Sequence, residues 1–283
     1  MERMCKVKAI QYECTSDVNR LKRADYDILW LPTKWVSPDM IPSRAKLLYG
    51  PQHFVFVEGP IVGPQNEEWC KRAVYTCLSD WVMTVNREFA SQTVIPFAPL
   101  PFGLSASSPD FRDNPKTMDC LVYCKGRRPN DVETVLSLLK KHGLRHQVIK
   151  YGSYKHDEYV QLLKSVKFCI WIGTHESQGF AFQDCLVGNV PILVWDVQTM
   201  FEEYDCKGAC VYEKYKGLKQ LKATSATEWS SECGERASSA EELESVLKIM
   251  VDKWHTYMPR QFILSRVSDE VCMSRILRYL KLE

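Results

Sequence analysis

Glu176 and Asp184 stand eight positions apart in the stretch THESQGFAFQD, residues 174–184, with Gly179 between them. KFCIWIG precedes this stretch and VPILVW follows it, so both acids fall where an apolar strand hands over to a helix. A carboxylate can accept both hydrogen bonds of a vicinal diol, on a ribose or on a hexose. Gly179 allows a close turn and Phe180 opens the helix. The amides of Gln178, Gly179 and Phe180 can then face an anion, with the helix dipole behind them. His175 and Ser177 share the loop and join the same candidate ligand-binding set. Taken alone, the two acids read equally well as an acid favoured by the dipole and a surface aspartate.

Two other loops carry related chemistry. Lys125, Arg127 and Arg128 flank Gly126 directly after the apolar run DCLVYCK, residues 119–125. An Arg fork and a Lys point charge can clamp a diphosphate, although an isolated cluster of this kind also reads as a solvated basic turn. In YGSY, residues 151–154, Gly152 and Ser153 suit a tight turn approaching a flat ring, with Tyr151 or Tyr154 packed on it. Tyrosines partly buried in the core are the alternative. In an open parallel sheet, ligands bind beyond the carboxyl ends of the strands, and all three loops fall there.

Some chemistries lack support. No Gly-x-Gly-x-x-Gly fingerprint and no Walker loop occurs, so nothing points to a generic NAD or ATP enzyme. Asp25-Tyr26-Asp27 matches an Asp-x-Asp metal pattern, but it precedes the strand ILWLP and so belongs to the wrong end of a sheet. No metal site is expected, and no cofactor is required, although a divalent cation stays open.

The elements that must position these loops alternate between strand and helix patterns, which predicts an α/β protein with largely parallel sheets. In the first part YDILWLP (26–32), HFVFVE (53–58) and WVMTVN (81–86) read as strands, and NEEWCKRAVYTCLS (66–79) as a helix with Trp69, Ala73 and Cys77 on one face. TVIPFAPLPFGL breaks regular structure with three prolines, and SASSPDFRDNPK reads as an interdomain linker. In the second part, strands at 119–125, 146–152, 167–173 and 190–195 alternate with helices at 132–142, 156–166 and 179–189. Asp131 is the expected N-cap of the first of these helices. Four such units in succession predict a Rossmann-like sheet. The tail, from SAEELESVLKIMVDKW to SRILRYLKLE, reads as helical.

The 283 residues suffice for two domains, with 45% hydrophobic and 25% charged residues, the balance of a soluble globular chain. A formal net charge of +2 gives no support for a nucleic-acid partner bound by phosphate neutralisation. Of twelve cysteines, Cys120, Cys124, Cys169 and Cys185 sit in or beside apolar runs, as small core residues do. Neither Cys120/Cys124 nor Cys206/Cys210 has zinc-knuckle spacing. The start lacks the apolar region of a signal peptide, no glycosylation sequon occurs, and no apolar stretch approaches the ~20 residues of a membrane span. The expectation is a cytoplasmic, reducing compartment without a transmembrane segment.

Glu176-x7-Asp184 with glycine at the fourth position, and VGNVPILVWD downstream, resembles the Glu-x7-Glu motif of retaining glycosyltransferases of family four. IPFAPLPFGL is similar to the proline-rich segment that leads those proteins from their first domain into their second. The resemblance runs from about Leu100 to Asp196 and is nearest to short members encoded by large DNA viruses, which would place the protein in a host cytoplasm. It implies a GT-B fold: two Rossmann-like domains facing across a cleft, here with a reduced N-terminal one. The implied boundaries are an acceptor-side domain at 1–110, a nucleotide-sugar domain at 111–255, and a C-terminal helix at 256–283 packing back on the first domain.

The resemblance also implies roles. Glu176 would contact donor-sugar hydroxyls and Asp184 the ribose diol, while Lys125 with Arg127 or Arg128 would hold the diphosphate, aided by the amides at Gly179-Phe180. Asp184 stands where the family has Glu and is one methylene shorter. In the first domain, which lacks the family's Gly-Gly-rich loop, Gln52 and His53 are the residues nominated on the acceptor side, with a structural histidine as the alternative for His53. The implied activity is transfer of a hexose from a nucleotide-diphosphate sugar to a glycan or glycoprotein acceptor with retention. UDP-glucose is the first donor expected and GDP-mannose the second. A catalytically silent nucleotide- or glycan-binding module is the other reading.

Overall fold

A computed structural model describes residues 1–23, 25–32, 36, 40–51, 68–89, 95–205, 208–213 and 222–282. The chain divides into two compact units, Met1–Ala106 with Val267–Glu283, and Ser107–Arg266. The sequence placed the breaks after 110 and after 255; the contacts place them after Ala106 and Arg266.

The first unit opens with helices α1 (Glu2–Val7) and α2 (Val18–Arg23), then holds a four-stranded sheet of β1 (Ile28–Leu31), β2 (Lys46–Tyr49), β3 (Ala73–Cys77) and β4 (Phe97–Pro99). All pairings are parallel, and the spatial order is the sequence order, β1-β2-β3-β4. Helix α3 (Asp80–Phe89) connects β3 to β4. Leu47, Tyr49, Tyr75, Val82, Ile95 and Phe97 belong to its core.

Three expectations for this unit are corrected. The expected helix at 66–79 is a 3-10 turn, Glu68–Arg72, followed by β3. Every residue of β3 is buried, so it is covered on both faces and shows no strand-like alternation. The expected strand at 81–86 lies within α3, where Val82, Val85 and Asn86 are buried at helical spacing and tertiary packing overrides the β-branched residues. The proline-rich segment, expected to be irregular, contributes β4, an edge strand that tolerates Pro99. The expected strand at 53–58 lies outside the described residues.

The second unit holds a five-stranded parallel sheet in the order β6-β5-β7-β8-β9. Its elements are β5 (Met118–Cys124), α4 (Pro129–Lys141), β6 (His146–Lys150), α5 (His156–Ser165), β7 (Val166–Ile172), α6 (Phe180–Val187), β8 (Ile192–Trp195), β9 (Gly234–Ala237), α7 (Ala240–Lys253) and α8 (Pro259–Val267). Strand β9 had no counterpart in the sequence reading. Helix α4 starts at Pro129 with Arg128 at the N-cap, displacing the expected Asp131, because proline is preorganised for the first helical position.

The last helix, α9 (Asp269–Tyr279), packs on α1 within the first unit. Arg3 Nε donates to Asp269 Oδ2 at 2.9 Å, and Arg3 Nη2 donates to the Gly103 carbonyl at 2.8 Å. Among the described residues no helix is long and apolar enough to cross a membrane.

Candidate active site

The order β6-β5-β7 means that the chain leaves β5 to one side and returns to its other side, which makes a topological switch point between β5 and β7. Connections on opposite faces open a crevice there, beyond the carboxyl ends of the strands. Lys125 follows β5 and Glu176 follows β7, so the two residues stand on either side of that crevice.

They meet. Lys125 Nζ lies 2.8 Å from both Glu176 Oε1 and Oε2. Glu176 is buried, and burial pushes its carboxyl above the usual range although Lys125 pulls it back. Two glycines permit the approach. Gly126 has φ +58°, and a Cβ on it would stand 2.6 Å from Thr174 Cγ2. Gly179 has φ +75°, and a Cβ there would crowd Cβ and Cγ of Glu176 and Cβ of Phe182, each at 3.3 Å. Gly179 is also the left-handed N-cap of α6, so one residue both turns the chain and makes room for the acid.

The three cations of the β5–α4 loop have separate tasks. Arg127 is buried, its side chain 5% exposed. Its Nε donates to Asp131 Oδ2 at 2.9 Å, and Nη1 donates to the carbonyls of Gly173 at 3.3 Å and Trp195 at 3.1 Å. The guanidinium also covers the Trp195 ring, 4.7 Å from its centroid. Arg127 therefore ties the ends of β7 and β8 to α4. Arg128 lies toward solvent, with Nη2 donating to Tyr204 Oη at 2.6 Å and the guanidinium 4.4 Å from that ring. Lys125 is the one that reaches toward Glu176 at hydrogen-bond distance, and its ammonium also lies 4.7 Å from the Tyr151 ring centroid.

The remaining nominated residues spread around this pair. Gly152 and Ser153 form an exposed turn after β6, with φ +78° at Gly152 and the Ser153 amide donating to the Lys150 carbonyl at 3.0 Å. Tyr154 Oη lies 3.0 Å from Tyr123 Oη, and the Tyr123 ring stacks on Trp171 at 3.9 Å. Tyr154 is thus anchored to the aromatic layer of the sheet, while Tyr151 is 60% exposed. His175 is buried, with Nε2 3.0 Å from Glu203 Oε2. Ser177 is half-buried. Gln178 is buried and donates from Nε2 to Gln183 Oε1 at 2.9 Å, which fixes the entry to α6. Phe180 is 55% exposed at the first position of that helix.

Asp184 lies one turn further along α6, with Oδ2 3.8 Å from His156 Nδ1 of α5. Burial pushes its carboxyl upward, opposed by His156. Gln52 and His53 lie outside the described residues. Asp25 and Asp27 stand before β1, at the amino end of that strand. Among the described residues no cluster of His, Cys, Asp and Glu could hold a metal ion.

Several residues that shape the site escaped the sequence reading. Asp196, buried directly after β8, accepts at Oδ1 from the amides of Val197 (2.9 Å) and Ser225 (2.6 Å) and at Oδ2 from Thr224 Oγ1 (2.7 Å), and it pairs with Arg236. This fixes the segment 224–227 against the loop that carries Glu176. The Glu176 amide donates to the Thr224 carbonyl at 3.0 Å, and Thr227 Oγ1 donates to the Gln178 carbonyl at 2.9 Å. An acid closing the apolar run VPILVW was the available signal for Asp196. His156 and Glu203 carry no comparable local sign.

Two parallel α/β units of this kind make the architecture of the GT-B glycosyltransferases, two Rossmann-like domains in one chain. Among the solved structures similar to it are two glycosyltransferases. A glycosyltransferase of avilamycin A biosynthesis, AviGT4, matches with a TM-score of 0.54 and 12% identity over 93% of this chain and 76% of its own. A glycosyltransferase from Rickettsia africae matches with a TM-score of 0.52 and 11% identity over 99% of this chain and 87% of its own. No family profile matches the sequence, and no curated protein does.

Proposed function

We propose that the chain is a retaining glycosyltransferase, moving a hexose from a nucleotide-diphosphate sugar to a hydroxyl of a glycan or glycoprotein. The observation that carries this reading is the buried Glu176–Lys125 pair at the switch point of the second sheet. A buried acid paired with a lysine is suited to exchange that lysine for sugar hydroxyls. The lysine is then released to a phosphate.

In this reading Glu176 accepts from donor-sugar hydroxyls. Lys125, with Arg128 and the amides at the head of α6, faces the diphosphate, while Arg127 holds the floor beneath it. Asp184 addresses the ribose, and the turn 151–154 the base. The bond from the anomeric carbon to the phosphate oxygen breaks with its electron pair leaving on the phosphate. The acceptor oxygen bonds to the same face of that carbon, and its proton passes to the departing diphosphate. The oxocarbenium-like state between them carries new negative charge on the phosphate. Fixed cations and amides aimed at such charge are worth roughly 10²–10³ in rate for each donor.

The first unit is the acceptor side in this assignment. UDP-glucose is the first donor proposed and GDP-mannose the second. All eleven described cysteines are free thiols, which favours a reducing, cytoplasmic setting. Asp184, shorter than the family's Glu and already beside His156, favours one other reading, a nucleotide- or glycan-binding module without turnover.

A panel of nucleotide sugars separates the two readings. Thermal shift with UDP, GDP and their sugars identifies the nucleotide, since a ligand at 100 times its Kd stabilises by about 2.7 kcal/mol. Transfer or slow donor hydrolysis, lost in Glu176→Ala, is the result expected. Binding without turnover toward any acceptor supports the silent module, and no binding to any nucleotide overturns both.

A further inference from the structure

The first unit contains a cavity of about 920 Å³ along strand β1, and all its described lining residues belong to that unit. We propose that this groove binds an extended basic peptide segment of a partner protein, which adds to the sheet beside β1. The inference is independent of the glycosyltransferase reading.

The sheet supplies the first reason. A complete doubly wound sheet extends on both sides of its first strand, in an order such as 3-2-1-4-5-6. Here the order β1-β2-β3-β4 runs one way only, and β1 forms the edge among the described residues. The carbonyls of Asp27 and Leu31 accept from the amides of Lys46 and Gly50 at 2.8 and 3.0 Å. Backbone direction alternates along a strand, so the odd-numbered residues address β2 while Ile28 and Trp30 turn their N–H and C=O groups to the groove. Such an edge is a template for one more strand.

Shape supplies the second. Residues 25–32 line the cavity without a break. The four residues of β1 extend for about 13 Å at roughly 3.3 Å per residue, and the lined stretch continues beyond them at both ends, which suits a short extended chain. The irregular segment 10–17 lines the groove as well, and Leu29, Leu48, Met273 and Ile276 give it an apolar floor.

Charge selects the occupant. Glu2, Glu13, Asp17, Asp25 and Asp27 line the cavity, and no Lys, Arg or His side chain does so among the described residues. Among the described residues only Glu13 and Asp25 of these acids have basic partners, Arg20 and Arg44, which stand outside the lining. A chain that alternates apolar residues with Lys or Arg meets the floor with one row and the acids with the other. An acidic chain would be repelled.

The test uses the full-length protein and a fluorescently labelled heptapeptide of alternating Lys and Val, read by anisotropy, beside the same peptide with Glu for Lys. The Lys peptide should bind and weaken as salt is raised, and the Glu peptide should not bind. Ile28→Pro removes an amide directed at the groove, at the first residue of an edge strand where proline is tolerated, so the link to β2 is kept. It should weaken the Lys peptide at least tenfold with an unchanged melting temperature. Should Ile28→Pro fold poorly, the double variant Asp17→Lys, Asp27→Lys should give the same loss. Equal affinity for both peptides, no binding of either, or full binding by both variants overturns the proposal. So does a dimer of the chain that Ile28→Pro dissociates and the Lys peptide leaves intact, because the edge would then be taken by a second copy.

Discussion

The two units are built from the same parallel strands, yet their sheets differ in one respect that decides where ligand chemistry can gather. In the second unit the chain crosses from β6 past β5 to β7, and the loops beyond β5 and β7 diverge around a crevice. The described strands of the first unit advance in one direction and contain no such crossing. The buried Glu176–Lys125 pair, the Asp196 network and the bracing Arg127 all lie at strand ends of the sheet with the crossing. Topology, more than local composition, separates the two units: the first carries its own charged groups, but around the edge of its sheet instead of over a switch point.

The largest effect should come from Glu176→Gln. The amide keeps the shape and accepts from Lys125, but it cannot carry the negative charge that balances the lysine and orders sugar hydroxyls. Transfer should fall by at least about 10²-fold. The melting temperature at neutral pH should hold or rise, because a buried acid whose pKa is raised folds at a cost when ionised. Loss of activity together with a collapsed fold would place Glu176 in the scaffold.

Arg127→Met tests the opposite assignment within the same loop. Removing a guanidinium that satisfies Asp131 and two strand-end carbonyls should destabilise the second unit by about 3 kcal/mol. Activity per folded molecule, measured well below the melting transition, should fall much less than in Lys125→Met. Equal losses of turnover in the two variants would show that Arg127 acts on the diphosphate directly.

This contrast also marks how far the sequence was readable. Four strands of the second unit, β5 to β8, were plain because each falls in a short run ended by Gly, Lys or Asp, and the loops at 125–128, 151–154 and 174–184 were found for that reason, whereas β9, GERA, has no apolar run to mark it. In the first unit β3 is buried on both faces, so its residues offered a false helical face, and α3 was hidden by the β-branched residues in WVMTVN. The division of labour between Lys125 and Arg127 could not be read locally. The lysine meets an acid 51 positions away, and the arginine meets carbonyls 46 and 68 positions away. Chemical type was legible at these positions; orientation depends on the assembled sheet.

A smaller and more specific effect is expected at Asp184. Its pKa is raised by burial, with His156 opposing. A raised carboxyl favours the protonated folded state, so stability falls as pH rises from the ordinary carboxyl range through the folded pKa. Asp184→Asn removes that burden and should melt no lower than the parent at neutral pH. Nucleotide binding, measured by calorimetry, should weaken about tenfold through loss of a charged acceptor. Unchanged affinity would remove Asp184 from the ribose contact and favour His156 as its only partner.

The smallest effect sharpens the comparison by using an acid shifted the other way. Glu244 on α7 accepts from Lys141 Nζ at 2.8 and 2.9 Å and lies 3.0 Å from His142 Nε2, on the flank of the second unit away from the strand ends. These hydrogen bonds, Lys141 first, lower its carboxyl to about 2 from an ordinary value of 4.5. A depressed carboxyl contributes stability that is complete above the ordinary pKa and is lost as pH falls through the folded one. Glu244→Gln should therefore lower the melting temperature slightly at pH 6, and the difference from the parent should close between about pH 4.5 and 2. Donor turnover and nucleotide affinity should not change. A Glu244→Gln protein with altered kcat would mean that the α4–α7 flank communicates with the crevice, and the chemistry would no longer be confined to the strand ends.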